Sequence, residues 1–247
     1  MNGTFLKEGI DKIEELVQRA DTRIIEVDGE HYATGDLKQI PKPYYAPETI
    51  NLNSLDSLVD IIKKELKKIT EPLFIRIISP TKIDVFTSFK TDDRCIRDYL
   101  YRANAELPNI VIDNYVDHES FIIALKSKLI KNEDNEYVLN LLSKITDTES
   151  VTSDDNGISQ TVRAKKGVVM VENVLVRPIV NLMPYRTFLE VGQPESQFLL
   201  RLKEGGYVGI FEADGGAWKL EAKENINEYL SQKLSDEIIA GDVVVIA

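Results

Sequence analysis

The chain has 247 residues, of which 43% are hydrophobic, and its 41 acidic and 30 basic side chains give a formal net charge of −11. This length and apolar content are sufficient for one large domain or two smaller ones with a buried core. The acidic balance disfavours indiscriminate binding to nucleic acid or to an anionic membrane, although a local basic groove inside an acidic whole is compatible with it.

The single cysteine and the distribution of apolar residues indicate the cellular compartment in which the protein is expected. Cys95 has no second cysteine with which to form an internal disulfide, which favours a reducing environment. No apolar run approaches the roughly 20 residues of a membrane span, and the first residues lack the pattern of a signal peptide. These features predict a soluble protein of the cytoplasm that contacts no membrane.

The first part of the chain predicts a mixture of helices and strands. Ile10, Ile13, Leu16 and Val17 recur at helical spacing and predict an amphipathic helix over residues 9–19. Asp28-Gly29 lies between two short β-type runs and predicts a hairpin. The other elements expected before residue 150 are helices that begin near Asn53 and Asp117, helices over 92–104 and 136–145, and strands over 73–79, 83–87 and 110–112.

A polar segment divides the chain. Residues 147–160, DTESVTSDDNGISQ, show no hydrophobic periodicity and contain a turn signal at Asp155-Asn156-Gly157. We therefore expect a mixed region over residues 1–150 and a strand-rich antiparallel region over 151–247. Short strands separated by turns predict a sandwich or partial barrel in the second region, so the predicted fold class is α+β.

The densest strand and turn signals lie between Pro184 and Ala222. Phe198, Leu200 and Leu202 fall on one face of a predicted strand, and the residues between them fall on the other. Gly205-Gly206 suits a hairpin turn, and residues 207–212 predict the returning strand. After the turn at 214–216, residues 218–222 predict another strand with Trp218, Leu220 and Ala222 on its core face. A helix over 225–234 and a last strand over 243–246 complete the expected elements.

Motifs of several enzyme classes are missing from the sequence. It contains no phosphate-binding loop of the G-x-x-x-x-G-K-[ST] type, no dinucleotide fingerprint, no H-E-x-x-H and no C-x-x-C. His31 beside the predicted hairpin turn is expected on the surface. Asp113, Asp117 and His118 could together bind Mg²⁺ or Mn²⁺, but Asp117 also stands where a helix needs its N-cap, and that interpretation is favoured. We predict no metal, no cofactor and no catalytic residue.

One group of side chains is a candidate ligand site. Arg186, Glu212, Asp214 and Trp218 lie on neighbouring predicted strands and turns. An arginine beside a tryptophan can hold a planar or anionic ligand, and paired carboxylates can exchange protons. Turn formation at Asp214 and burial of Trp218 explain the same residues without a ligand.

The same stretch resembles a known family. Pro184-Tyr185-Arg186-Thr187-Phe188, Glu190-Val191, Gln193-Pro194-Glu195-Ser196, Phe198 and Phe211-Glu212-Ala213-Asp214-Gly215-Gly216 are similar to the signature of the family typified by the enterobacterial prophage protein YfdQ. Its members occur in tailed phages and prophages, and Gly192 stands where an acidic residue would be expected. The resemblance implies a phage-encoded protein of the host cytoplasm, often encoded near replication or recombination genes, and it transfers no catalytic residues.

Three functions follow from these observations. The first is a non-catalytic accessory protein that assembles into a homo-oligomer and acts in phage DNA metabolism or on a host process, with a host or phage protein as a possible partner. The second is a binding module that sequesters a host protein or a small signalling molecule. The third, and least favoured, is a metal-dependent enzyme that uses Asp113, Asp117 and His118 or the pair Glu212 and Asp214.

Overall fold

The computed structural model describes residues 3–20, 24–28, 30–33, 38–40, 46–89, 96–146, 150–155, 160–166, 169–203 and 206–247. The chain divides into two compact units, Met1–Ala46 and Pro47–Ala247. Cys95 and parts of the polar segment around residue 150 lie outside the described residues. The second unit contains helices together with runs of consecutive strands, and the prediction of an α+β fold is confirmed.

The described residues of the first unit form one helix and a small sheet. Helix α1 covers Gly3–Ala20, which confirms the predicted amphipathic helix. The strands are β1 (Ile24–Val27), β2 (Glu30–Ala33) and β3 (Lys38–Ile40), paired antiparallel in that order. Asp28 follows β1 with φ of 52°, the left-handed conformation that a tight hairpin turn requires. The predicted hairpin is therefore confirmed.

The second unit contains the remaining elements. Its helices are α2 (Leu55–Glu65), α3 (His118–Ser127), α4 (Glu133–Thr146), α5 (Trp218–Lys233) and α6 (Ser235–Ile239), with a 3-10 turn over Leu66–Lys68. Its strands are β4 (Ile50–Leu52), β5 (Leu73–Ser79), β6 (Lys82–Thr87), β7 (Tyr99–Asn104), β8 (Asn114–Asp117), β9 (Leu129–Ile130), β10 (Ser150–Asp155), β11 (Gln160–Lys166), β12 (Val169–Val176), β13 (Ile179–Pro184), β14 (Ser196–Lys203), β15 (Tyr207–Glu212) and β16 (Val243–Ile246).

One five-stranded sheet has the order β16-β5-β6-β7-β4. The outer pairs β16-β5 and β4-β7 are parallel, and the inner pairs are antiparallel. Alternate residues of β5 are buried, with Leu73, Ile75 and Ile77 on the inner face, as the two-residue period of a strand requires. Helices α2 and α5 cover this face and complete the first hydrophobic core.

A second five-stranded sheet has the order β8-β15-β14-β13-β9 and is antiparallel throughout. Its inner face carries Phe198, Leu200 and Leu202, which pack against α3 and α4 in the second core. Strands β10, β11 and β12 form a separate antiparallel sheet. Both five-stranded sheets combine strands from before and after residue 150, so the predicted boundary there does not coincide with the division into compact units.

Several predicted elements were wrong. The predicted strand at 218–222 is the first part of helix α5, whose buried residues follow helical spacing and leave Leu220 68% exposed. The predicted helix at 92–104 was wrong for its described end, because Tyr99–Asn104 pairs with β6 as β7. Residues 110–112 form a loop before β8. Helix α2 has Ser54 as its N-cap, one residue after the predicted Asn53.

None of the helices in the described part of the chain is long and apolar enough to cross a membrane.

Candidate functional site

The four candidate side chains come from the connection between β13 and β14, from the end of β15 with the turn after it, and from the start of α5. Arg186 lies in the connection between β13 and β14, Glu212 ends β15, Asp214 lies in the turn that follows, and Trp218 begins α5. Strands β13, β14 and β15 are adjacent. The fold therefore brings together residues that are separated by up to about thirty positions in the sequence.

Arg186 is the centre of this group. Only 7% of its surface is exposed, and its guanidinium lies 4.0 Å from the centre of the Trp218 ring and 5.4 Å from that of Phe198. Its Nη1 donates a hydrogen bond to Glu212 Oε1 at 2.8 Å, and its Nη2 donates to the Ser196 hydroxyl. Burial lowers the pKa of Arg186, an effect that the charges of Glu212 and Asp214 oppose.

The carboxylates complete the group. Glu212 Oε1 also accepts a hydrogen bond from the Trp218 indole at 3.1 Å, so one oxygen serves two donors. Partial burial by itself would raise the pKa of Asp214, but hydrogen bonds from the Gly216 amide, the Ser196 hydroxyl and the Trp218 backbone, with the charge of Arg186, hold it below its ordinary value. Asp214 Oδ1 accepts from the Gly216 amide at 2.9 Å, which closes the turn before α5.

Gln193 holds the segment that carries Arg186. Its side-chain oxygen accepts hydrogen bonds from the amides of Arg186 and Thr187 at 2.9 and 3.1 Å, and its Nε2 donates to the carbonyl of Phe188 at 3.0 Å. The Thr187 hydroxyl donates to the carbonyl of Pro80 at 2.6 Å. A buried side chain that binds so many backbone groups of one loop determines its conformation.

The same segment links the two cores. Phe188 belongs to the first core, whereas Phe198 belongs to the second. Glu190 Oε1 accepts from the Leu55 amide at 2.7 Å at the N-terminus of α2, and Gly192 accepts from Asn225 of α5 at 2.9 Å. A carboxylate at a helix N-terminus is stabilised by the free amides there.

The arrangement of the four residues is that of a structural ion pair between aromatic rings. Glu212 and Asp214 already accept hydrogen bonds from protein groups, and Arg186 Nε is a buried nitrogen with no hydrogen-bond partner among the described residues. Sequence reasoning identified all four residues but missed Ser196 and Gln193. The turn signal Gly192-Gln193-Pro194 was the available indication for the second of these.

The alternative metal ligands have separate structural roles. Asp113 Oδ1 accepts from the Glu212 amide at 2.8 Å, and Asp113 itself has φ of 61°. Asp117 Oδ1 accepts from the Ser120 amide at 2.9 Å and caps α3, as predicted, which lowers its pKa. No group of three or more histidine, cysteine, aspartate or glutamate side chains suited to a metal ion occurs among the residues that the structure describes.

A small apolar cavity lies between α3 and the loop before β8. Its volume is about 90 Å³, and its walls include Val116, Phe121, Leu125 and Ile210. Lys128 lies at its edge, where its ammonium donates to the carbonyl of Asn109. Typical ligand sites are several times larger, so this cavity does not define a substrate site.

Comparison of the chain with protein-family models, with curated proteins and with solved structures gave no match.

Proposed function

We propose that this protein is a non-catalytic accessory protein that pairs with a second copy of itself through helix α1. The observation that supports this most directly is the exposed apolar stripe of α1. Ile10, Ile13, Leu16 and Val17 are each more than half exposed. Large apolar side chains grouped on one exposed helix face are typical of an interaction surface.

The spacing of the stripe favours another helix as the occupant. Ile10 and Val17 are seven residues apart and Ile13 lies between them, which is the repeat of a helix that packs along a partner helix. Helix α1 has 18 residues and is therefore about 27 Å long. An interface of this size is at the small end of specific contacts, so we expect a dimer with a dissociation constant on the order of micromolar.

The charges that flank the stripe favour an antiparallel pair of identical helices. When Ile10 of one copy packs against Ile13 of the other, Lys7 lies beside Glu14 of the second copy, and the two-fold axis repeats this ion pair. In a parallel pair Glu14 would instead face Gly9 of the second copy. Lys7 and Glu14 are both exposed and therefore accessible to such contacts across an interface.

We propose further that the dimer acts in phage DNA metabolism or on a host process. The resemblance of residues 184–216 to the prophage family supports this role. The absence of a reaction centre at the candidate site is supported by the contacts there. Glu212 accepts hydrogen bonds from Arg186 and Trp218, and the guanidinium of Arg186 packs on the Trp218 ring, so these side chains are already engaged with one another.

Light scattering of the full chain at concentrations of about 1 to 100 μM tests the dimer. We expect the molar mass to rise towards twice that of the chain with concentration, and Ile13→Asp to abolish this rise because it introduces a charge into the stripe. Lys12→Asp is the matched control, since it places the same residue on the polar face of α1, and it should leave the dimer intact. A chain that stays monomeric throughout this range would contradict the proposal.

A charge exchange tests the antiparallel arrangement. Lys7→Glu should weaken the dimer a few-fold because two like-charged contacts replace two ion pairs, and adding Glu14→Lys should restore it. If the double variant is no stronger than Lys7→Glu alone, the helices do not pair in this register.

A further inference from the structure

The outer face of the sheet β16-β5-β6-β7-β4 carries a combination of rings and cations that the ion pair at Arg186 and the stripe of α1 do not use. Phe74 and Arg76 alternate with the buried residues of β5, so their side chains lie on the face opposite α2 and α5. Phe86 stacks on Phe74 with ring centres 5.8 Å apart, and Tyr99 of β7 lies 5.4 Å from Phe86. The rings form a continuous row across three strands.

Arg97 lies over this row. Its guanidinium carbon is 5.4 Å from the centre of Phe74, 5.3 Å from that of Phe86 and 5.4 Å from that of Phe89. Phe89 is 50% exposed and Tyr99 is 37% exposed. Rings and a guanidinium plane that remain open to solvent are the groups on which unpaired bases stack.

A second row of the same face carries charge. Asp84 Oδ1 accepts from Arg102 Nε at 2.8 Å, and Asp84 Oδ2 accepts from Arg76 Nη2 at 3.3 Å. The carboxylate is buried while both arginines stay more than a third exposed. Each guanidinium has further N–H donors, so Asp84 holds two cations in position without neutralising both.

The balance of charge on this sheet is the reverse of that of the whole chain. Its five strands contain the cations Arg76, Lys82 and Arg102, and Asp84 is their one carboxylate. Just before β7, Arg97 adds a positive charge and Asp98 adds a carboxylate, so cations still outnumber carboxylates among these residues, although the chain as a whole has a net charge of −11. A local positive field beside stacked rings is complementary to a phosphate backbone with exposed bases.

We propose that this outer face, defined by Phe74, Arg76, Phe86, Phe89, Arg97, Tyr99 and Arg102, binds single-stranded nucleic acid. Bases stack on Arg97 and on the exposed rings of Phe89 and Tyr99, whereas the buried ring of Phe86 lies beneath Arg97. The arginines beside Asp84 contact phosphates. Single strands are favoured over a duplex because the faces of paired bases are covered by their neighbours. This local binding differs from the indiscriminate binding that the net acidity disfavours, and it does not require α1 to pair.

Fluorescence anisotropy with a labelled oligothymidylate of about ten nucleotides tests the proposal at low salt. We expect saturable binding that is weaker for a hairpin duplex and that falls as salt is raised. Arg97→Gln should weaken binding about tenfold, because it removes a stacking surface and a charge, and it should lower the salt dependence by about 0.7 in the logarithmic slope.

Arg177→Gln is the matched control. The guanidinium of Arg177 lies 3.7 Å from the centre of the Tyr137 ring, so it also packs on an aromatic ring elsewhere in the second unit, and it is 3.0 Å from an oxygen of Asp134. Its substitution should change oligothymidylate affinity less than twofold. If Arg97→Gln strongly lowers the melting temperature, Phe89→Ala replaces it as the test variant. Phe89 is half exposed and lies outside the strands, and its substitution should also weaken oligothymidylate binding about tenfold.

Three results would overturn the proposal. The first is that the oligothymidylate does not bind at low salt. The second is that Arg97→Gln and Arg177→Gln lower its affinity equally. The third is that the protein binds an oligoglutamate peptide in preference to the oligonucleotide. The last result would assign the face to an acidic protein segment. Because Ile13→Asp should keep its affinity for this short probe, failure of the dimer and failure of nucleic-acid binding are separate outcomes.

Discussion

At the scale of single residues, Arg186 shows how a buried charge is stabilised. Its guanidinium has an ionic partner in Glu212, a hydroxyl partner in Ser196 and ring contacts to Trp218 and Phe198. Desolvation of a charge is costly, and these contacts offset that cost only as a set. Arg186 therefore stabilises the folded chain only while its partners remain.

Arg186→Met is expected to destabilise the protein by about 2–3 kcal/mol. The value is below that for a fully buried pair because 27% of the Glu212 side chain is exposed and water can solvate it. Arg177→Met, at an exposed ion pair, should cost less than about 1 kcal/mol. Urea denaturation monitored by Trp218 fluorescence measures the free energy of unfolding of both variants. Equal losses of stability in the two variants would contradict a structural role for the buried pair.

At the scale of elements, α5 shows why a short window does not determine secondary structure. Trp218, Leu220 and Ala222 alternate as in a strand, but the buried residues of the helix are Ala222, Ile226 and Leu230, which are four residues apart. A window of five residues fits both periods. The helix is selected because Ile226, Leu230 and the following Leu234 complete the first core.

Paired truncations in α5 test this assignment. Ile226→Ala should cost about 2–5 kcal/mol because it leaves a cavity beside the sheet. Leu220→Ala in the same helix should cost less than about 0.5 kcal/mol, since its side chain is exposed. Chemical denaturation measures the difference. A large loss at Leu220 would indicate the strand that the alternating pattern predicts.

At the scale of the whole molecule, the second unit depends on pairs of strands that are distant in sequence. Val243–Ile246 pairs with Leu73–Arg76, and Tyr207–Ile210 pairs with Asn114–Asp117. The loop from Tyr185 to Glu195 then joins both cores. Because of these pairings, strands from before and after residue 150 lie in the same sheets.

Fragments of the chain should reflect this organisation. Residues 47–247 should fold with a cooperative thermal transition because they keep both five-stranded sheets. Residues 151–247 should not, because β15 and β16 lose their partners β8 and β5 and leave apolar faces uncovered. Circular dichroism melts compare the two fragments. A cooperative transition in 151–247 alone would support an independent domain there.

Local patterns predicted much of the secondary structure. The periodicity of α1, the hairpin at Asp28, the strands β5 and β6 and the cap at Asp117 depend on interactions between residues close in sequence. For the same reason the stretch from Pro184 to Ala222 showed where the four candidate residues Arg186, Glu212, Asp214 and Trp218 were concentrated, although it could not show that they contact one another.

By itself, the sequence determined the α+β class, the acidic surface, the amphipathic helix α1 and the identity of the residues around Arg186. Only the tertiary structure decided that 218–222 is helical, that Val243–Ile246 joins β5, and that Arg97 lies over three rings. The physical reason is distance along the chain. Caps and amphipathic patterns act over a few residues, whereas strand pairing, core packing and the outer face of a sheet depend on residues tens to hundreds of positions apart.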